Sequence, residues 1–442
     1  MCAIPLAANF QVAAAQDIVI PSGTRVSVDT GLVVLRTIQG HFAHAVDGRL
    51  RVNSFTVEDG ALLVVTGPYP LRVIAREKIS IFGSIDVSGK GGIDADSSFE
   101  SSPTFQLSFS TEPEIGGVGG PGAGSGGNAS VMTLASTARG TNGVDAFGKR
   151  EGGGGGESGF GASPTATTLG TIINSHPRFR IGAGGGGGAF GPDATATTPV
   201  SLSILGLVAE PGTGGAPLAM GALGHSSPLG GLVGRSPFHD GDTSNDFWGV
   251  GLDQETGELI QGELDQLQGG MGGGGGGDSV RSLTFPNPNF DKFSEDKGGA
   301  GGGGGGAIHL RAQGRISLFN ELTGSQGSIA ANGGRGARGQ LIRFNNNFFF
   351  KSGPGGGGGS GGHIVLESAT SIELGSSAEA LQARGGRGGP SSNFGGPEGK
   401  GGNGGPGVIQ LHAPGGLRNI FSTLPLNHVA VPEPKILLPR VN

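Results

Sequence analysis

Most residue types that normally anchor a functional argument are scarce in this chain. It has one cysteine (Cys2), one tryptophan and one tyrosine in 442 residues. A lone thiol excludes a disulfide framework and a cysteine-based zinc site. Charged residues make up 14% of the chain, well below the usual share of about a quarter. The 29 basic and 35 acidic side chains sum to a net charge of -6, which gives no reason to expect nucleic acid or an anionic membrane as a partner. No run of about 20 apolar residues occurs, so no transmembrane helix is expected. No stretch keeps a helical apolar period. Repeated Gly and Pro argue the same way, since glycine costs about 1 kcal/mol in a helix interior.

What the chain has instead is glycine, 96 residues of it, roughly three times the average share. There is no strict every-third-residue period, so collagen is excluded. Runs occur at 152–156, 184–188, 272–277, 301–306 and 355–359. One reading of these runs is flexible linker. The other is a bundle of polyproline II strands, whose backbones approach closely because no face carries a side chain. Two features favour order. The runs are similar in length, and those at 301–306 and 355–359 lead straight towards apolar triplets at Ile308 and Ile364.

Those triplets repeat. Leu71-Arg72-Val73 is followed eight residues later by Ile79-Ser80-Ile81, then Ile85-Asp86-Val87 and Ser88-Gly89-Lys90-Gly91-Gly92. Ile308-His309-Leu310 is followed at the same interval by Ile316-Ser317-Leu318, then Ile329-Ala330-Ala331 and Asn332-Gly333-Gly334-Arg335-Gly336. A third copy runs from Ile364-Val365-Leu366 through Ile372-Glu373-Leu374 and Leu381-Gln382-Ala383 to Arg384-Gly385-Gly386-Arg387-Gly388, and Val408 opens a fourth. Each triplet is a minimal strand with one face inward, and a unit this small buries that face only by stacking on a copy. The expected fold is all-β: a β-solenoid or stacked β-sheet with a glycine-rich insertion forming a polyproline II bundle. The expected division is a truncated export signal or a short apolar lead-in over 1–16, a β region over 17–92, the insertion over 93–303, β repeats over 304–414 and a Pro-rich tail over 415–442. A β-sandwich with coincidental spacing is the alternative.

The strand-and-polyglycine segments 79–92, 301–336 and 355–388 resemble the glycine-rich exported surface proteins of planctomycetes and myxobacteria. The glycine runs are also similar to the polyproline II bundles of glycine-rich receptor domains, phage adhesins and an insect antifreeze protein. That likeness implies a rigid platform whose end loops bind. Neither resemblance brings a catalytic motif. Ala13-Ala14-Ala15 before Gln16 resembles the small-residue end of a secretory signal that lacks its charged start. Val431-Pro432-Glu433-Pro434 resembles the opening of the PEP-CTERM sorting signal, but no apolar helix follows, so a plain Pro-rich tail is the competing reading.

Glycine-rich sequence also produces false motifs. Gly143 to Gly148-Lys149 fits the first part of a phosphate-binding loop, but Arg150 stands where Ser or Thr belongs. Gly358-Gly359-Ser360-Gly361-Gly362 matches a nucleophile elbow without its strand and helix. Asp240, Asp242 and Asp246 are the densest oxygen-ligand cluster and the one candidate for Ca2+. The competing reading is a solvated Asp-rich turn, and no other cofactor is expected. Asp253, Glu255, Glu258, Glu263 and Asp265 suggest the exposed face of a short helix or hairpin. His309, His363 and His412 flank inward positions, so they should point outward, and they differ in repeat position, so they should not form a ladder. A sugar-cleaving cleft wants stacking aromatics and paired carboxylates. Trp248 and Tyr69 are the only Trp and Tyr, so an enzyme is not expected. Phe348, Phe349 and Phe350 alternate faces in extended chain, so at least one must be covered or exposed, which makes the segment from Phe344 to Phe350 either a packing lid or a partner-contacting patch.

The function expected from these features is a non-enzymatic extracellular or cell-surface scaffold. It would present Phe344 to Phe350 and the 235–265 loop to surface or matrix components or to other copies of itself. A ligand-binding adhesin is the alternative. An ice-binding version of it would need a flat array of Thr or Ser, hinted at only by 165–168 and 195–198. A β-helical polysaccharide-active enzyme comes third.

Overall fold

Stacking of the apolar triplets decides the architecture. A computed structural model describes residues 16–31, 34–36, 42–44, 47–95, 99–100, 114–130, 140–149, 152–153, 158–160, 180–182, 184–191, 231–238, 242, 244–252, 256–284, 291–344, 350–390 and 400–438. These residues are nearly all β, with helix among them confined to Gly416–Asn419 and Leu426–Val429.

Three six-stranded sheets form the frame, and every ladder in them is parallel. The first holds Ile18–Ile20, Phe55–Val57, Ile79–Ile81, Ile316–Ser317, Ile372–Gly375 and Ile420–Ser422. The second holds Arg25–Asp29, Leu62–Thr66, Ser84–Asp86, Ser328–Ala330, Leu381–Gln382 and Ala430–Val431. The third holds Arg49–Val52, Leu71–Ala75, Ala307–Ala312, His363–Ser368, Val408–His412 and Lys435–Leu437. The chain visits first, second and third sheet in that order six times. A β-sandwich, built from antiparallel sheets, does not describe this frame.

Register lines up the inward residues in columns. Ile18, Phe55, Ile79, Ile316, Ile372 and Ile420 are successive partners across the first sheet. Leu63, Ile85, Ile329 and Leu381 do the same in the second, and Leu50, Val73, Leu310, Leu366 and Leu411 in the third. All of them belong to one buried core. Each such side chain contributes roughly 1.5–3 kcal/mol on burial. Residues 415–437, expected as a Pro-rich tail, supply the sixth strand of every sheet. The Val431 to Pro434 segment lies within that turn, between a second-sheet and a third-sheet strand.

Glycine concentrates between the second and third sheets. Residues 87–306, 331–362 and 383–407 each leave a second-sheet strand and return into a third-sheet strand. Inside these excursions backbone N–H groups find partners with a period of three. Gly299, Gly302 and Gly305 donate to Pro354, Gly357 and Ser360, each at 2.8 Å. Gly301 and Gly304 donate to Gly127 and Gly124, while Gly303 and Gly306 donate to Lys90 and Val87. The tract 297–306 is therefore tied to three neighbours in rotation. The tract 353–362 behaves alike, donating to 331–337, to 271–274 and to 402–405. Glycines at 270–276, 301–306 and 355–362 are buried, and most leave no room for a Cβ. One placed on Gly302 would lie 2.1 Å from the Gly334 carbonyl oxygen.

Candidate functional site

Three outward faces are candidate sites. The first is the outer side of the third sheet, where the three expected histidines fall. Strand alternation points His309, His363 and His412 away from the core. They occupy different columns: His309 is paired with Arg72 and Val365, His363 with Ala307 and Val408, and His412 with Glu367. They form no ladder. All three are buried nonetheless, because residues from the long excursion pack over this face. Phe190, Phe238, Leu264 and Trp248 gather on Val408, and Leu267 and Trp248 on Ala307 and Val365. Part of the 235–265 segment, expected as a presented loop, is thus a cover whose Phe238, Phe247 and Leu264 are buried.

Gln410 ties together some of the polar groups under this cover. The Gln410 amide receives the Trp248 N–H at 3.3 Å and donates to the Trp248 carbonyl at 3.2 Å, as a neighbouring strand would. Its oxygen also lies 2.5 Å from His363 Nε2, so that nitrogen carries the ring proton. The edge of Phe190 meets the His363 ring at 5.7 Å. Trp248 meets His309 edge-on at 5.1 Å and takes the Arg72 guanidinium 5.4 Å from its ring centre. Desolvation lowers His363 and His412 to about 4 each. Burial pushes Glu367 up, but the His309 hydrogen bond and the charges of His309, Arg311 and His412 outweigh it, and the carboxyl titrates below its ordinary range. These groups seal an interface. Among the described residues no set of three or more His, Cys, Asp or Glu is placed to hold a metal ion.

The second face is the outside of the first sheet. Thr56, Ser80, Ser317, Glu373 and Phe421 are successive outward partners across it. The turn over 319–322 overhangs them and leaves an open groove of about 300 Å³, edged by Lys78, Arg315, Phe82 and Phe319. Arg315 pairs with Glu373 at 3.2 Å. The groove is polar, shallow and close to charge-balanced. The third face is the exposed layer of glycine tracts.

The other expected site residues fall as follows. Asp240 lies outside the described residues. Asp242 is exposed, and its carboxylate is held below the usual range by accepting from Ser244. Asp246 is buried, so these two do not face a common solvent-filled site. Of the acidic stretch, Asp253 and Glu255 lie outside the described residues, Glu258 precedes the second strand of the hairpin Val250–Leu252 with Leu259–Gln261, and Glu263 and Asp265 follow it. Phe344 ends the strand Leu341–Phe344 and Phe350 begins Phe350–Ser352, which pair antiparallel. Phe348 and Phe349 lie outside the described residues, as do 165–168 and 195–198. Ser360 is fully buried, and its hydroxyl oxygen accepts the Met271 N–H at 2.7 Å, which is a structural use of the residue. No helix among the described residues is long and apolar enough to cross a membrane.

Comparison with family models, with curated proteins and with solved structures finds no match to this chain.

Proposed function

We propose that the chain is a non-enzymatic structural scaffold of the extracellular space or cell surface. In this reading the three-sheet frame is a three-sided β-solenoid, and the glycine tracts form a polyproline II bundle anchored along one of its corners. The rigid bundle holds loops in fixed positions for contact with other surface or matrix components or with further copies of the chain. The observation that carries this reading is the three-residue rotation of hydrogen-bond partners. Polyproline II has three residues per turn and no internal hydrogen bonds. A tract in that conformation must therefore send successive N–H groups to different neighbours, as Gly301, Gly302 and Gly303 do.

Backbone hydrogen exchange on the purified protein tests it. Amides at 184–188 and 272–277 should be protected to nearly the same degree as the strand Ala307–Ala312. Exchange at random-coil rates would overturn the bundle and with it the rigid scaffold. The groove on the first sheet favours a second reading, a module that binds a neutral extended ligand across the strands. Titration with neutral oligosaccharides that perturb Phe82 and Phe319 would support it.

A further inference from the structure

We infer that the outer layer of glycine tracts is a binding face for an acidic polysaccharide, read by a grid of arginines. The grid comes from the tracts 332–338 and 384–388, which lie beside the tract 88–95. Gly89, Gly92 and Ala95 donate to the carbonyls of Asn332, Arg335 and Arg338, and Gly333 and Gly336 donate to those of Arg384 and Arg387. These three tracts therefore run side by side, parallel and in step. Within them the side chains at Arg335, Arg338, Arg384 and Arg387 are exposed, while Gly334, Gly336, Ala337, Gly386, Gly388 and Gly389 between them are buried. The arginines recur at every third residue on both tracts. Three residues of polyproline II span about 9 Å, so successive guanidinium groups along a tract stand about that far apart. The distance rests on the bundle reading above.

The face carries excess positive charge on a chain of net charge -6. Asp94 pairs with Arg335 at 3.1 Å and more loosely with Arg338 at 4.0 Å, and Glu379 pairs with Arg384. Among the described residues Arg387 has no ion-pair partner, and neither has Lys400, which opens the next tract beside Gly389. Guanidinium forks take carboxylate or sulfate oxygens two at a time. A flat surface with charges at a regular, wide interval suits a polymer whose charges recur at a similar interval, once per disaccharide. Nucleic acid fits less well: its phosphates are more closely spaced, and none of these tracts carries an aromatic ring on which bases could stack.

The test uses the full chain and hyaluronate oligomers, which carry one carboxylate per disaccharide, followed by calorimetry at low and moderate salt. Neutral dextran and duplex DNA serve as comparison ligands. Hyaluronate should bind at low salt, with an affinity that falls linearly in log–log form as salt rises. Arg335→Glu with Arg387→Glu should weaken binding about tenfold or more, a loss of about 1.4 kcal/mol. Lys78→Glu with Arg315→Glu, in the groove of the first sheet, should leave it unchanged. The milder Arg335→Gln with Arg387→Gln covers the case in which the reversed charges disturb folding, and should also weaken binding. Absence of binding by the wild type, an equal loss in the groove variant, or tighter binding of DNA than of hyaluronate would each overturn the inference. Hydrogen exchange over 331–340 in the same samples reports separately on whether the tracts are ordered. A failed bundle is thereby distinguished from a bundle that does not bind.

Discussion

Replacing Gly302 by alanine should be strongly damaging, whereas the same change at Gly91 should be nearly silent. Gly302 sits in the tract 297–306 with neighbours on all sides. Its N–H donates to Gly357, its carbonyl accepts from Gly273, and an added Cβ would meet the Gly334 carbonyl oxygen at 2.1 Å and its carbon at 2.6 Å. The obstruction is backbone, which cannot rotate away. Relief requires this tract and the Gly334 tract to separate by about an ångström, which loosens the bonds that Gly334 and Ala337 donate to Gly303 and Ala300, each contributing about 1 kcal/mol. Overpacking itself costs about 1–3 kcal/mol, so a total near 4 kcal/mol is expected. At Gly91, on an exposed surface, the Cβ would meet Cγ of the flexible Arg335 side chain at 3.1 Å and the Arg335 carbonyl oxygen only at an ordinary contact distance of 3.4 Å. There the entropy removed from the unfolded chain should leave a net change between zero and about 1 kcal/mol of stabilisation. Urea unfolding followed by circular dichroism, with hydrogen exchange over 297–306, reads both. Equal effects at the two positions, or a Gly302→Ala cost under about 0.5 kcal/mol, would refute the close-packed arrangement.

Three further outcomes are expected. His363 and His412 are neutral when buried and protonate at about 4 in the folded protein, against 6.5 ordinarily. The unfolded chain therefore binds more protons between those values, and stability should fall as pH drops from 6.5 towards 4, by about 3 kcal/mol per histidine; urea midpoints for wild type and His363→Gln across that range check it, the variant showing the shallower fall. Gln410→Leu removes the amide that serves both Trp248 and His363, leaving buried polar groups without partners, and should cost about 1–3 kcal/mol and speed exchange of the Trp248 amide. Ile316→Ala empties one place in the first-sheet column and should cost about 2–5 kcal/mol, measured by urea unfolding.

The sequence made the later turns of the frame plain and hid the rest. Ile308, Ile316 and Ile329 recur at Ile364, Ile372 and Leu381 because the corner between the third and first sheets keeps its length. Ile18, Phe55 and Ile79 belong to the same column, yet the spacing between Ile18 and Phe55 is stretched by residues 30–48 and no fixed interval links them. The sixth turn looked like a tail because its triplets are degraded: Ala430 stands where Leu381 does, and prolines flank it. The outward direction of His309, His363 and His412 followed from strand alternation. Their burial did not, because the covering Trp248 and Leu267 come from the long excursion and nothing local announces which face they will close. The arginines stand in two x-G-G-R-G motifs, at 332–336 and 384–388, and just beyond the first, but alignment side by side is a property of the ladder register and not of any one motif.

That register explains why the glycine tracts sit where they do. A polyproline II tract makes no hydrogen bonds of its own, and ordering a glycine costs more backbone entropy than ordering any other residue. An isolated tract has nothing to offset that loss. Here each excursion begins at a second-sheet strand and ends at a third-sheet strand, and the strands of successive turns are already fixed side by side by their ladders. Ala307, the residue that ends one tract, also pairs with His363 at the end of the next. The tracts therefore start and finish in register before a single tract-to-tract bond forms, which removes most of the search that an unanchored bundle would face. The dependence is one-sided: the aliphatic columns need no tract to be buried, but the tracts need the columns to be aligned. Shortening the excursion 331–362 to a tight corner should thus leave the frame folded. It should also strip protection from the tracts 297–306 and 383–389, whose Gly299, Gly302, Gly305, Gly386 and Gly389 lose their acceptors in 353–362. Hydrogen exchange on that deletion variant tests the order of dependence, and retention of full protection in both tracts would mean that they are held by something other than their neighbours.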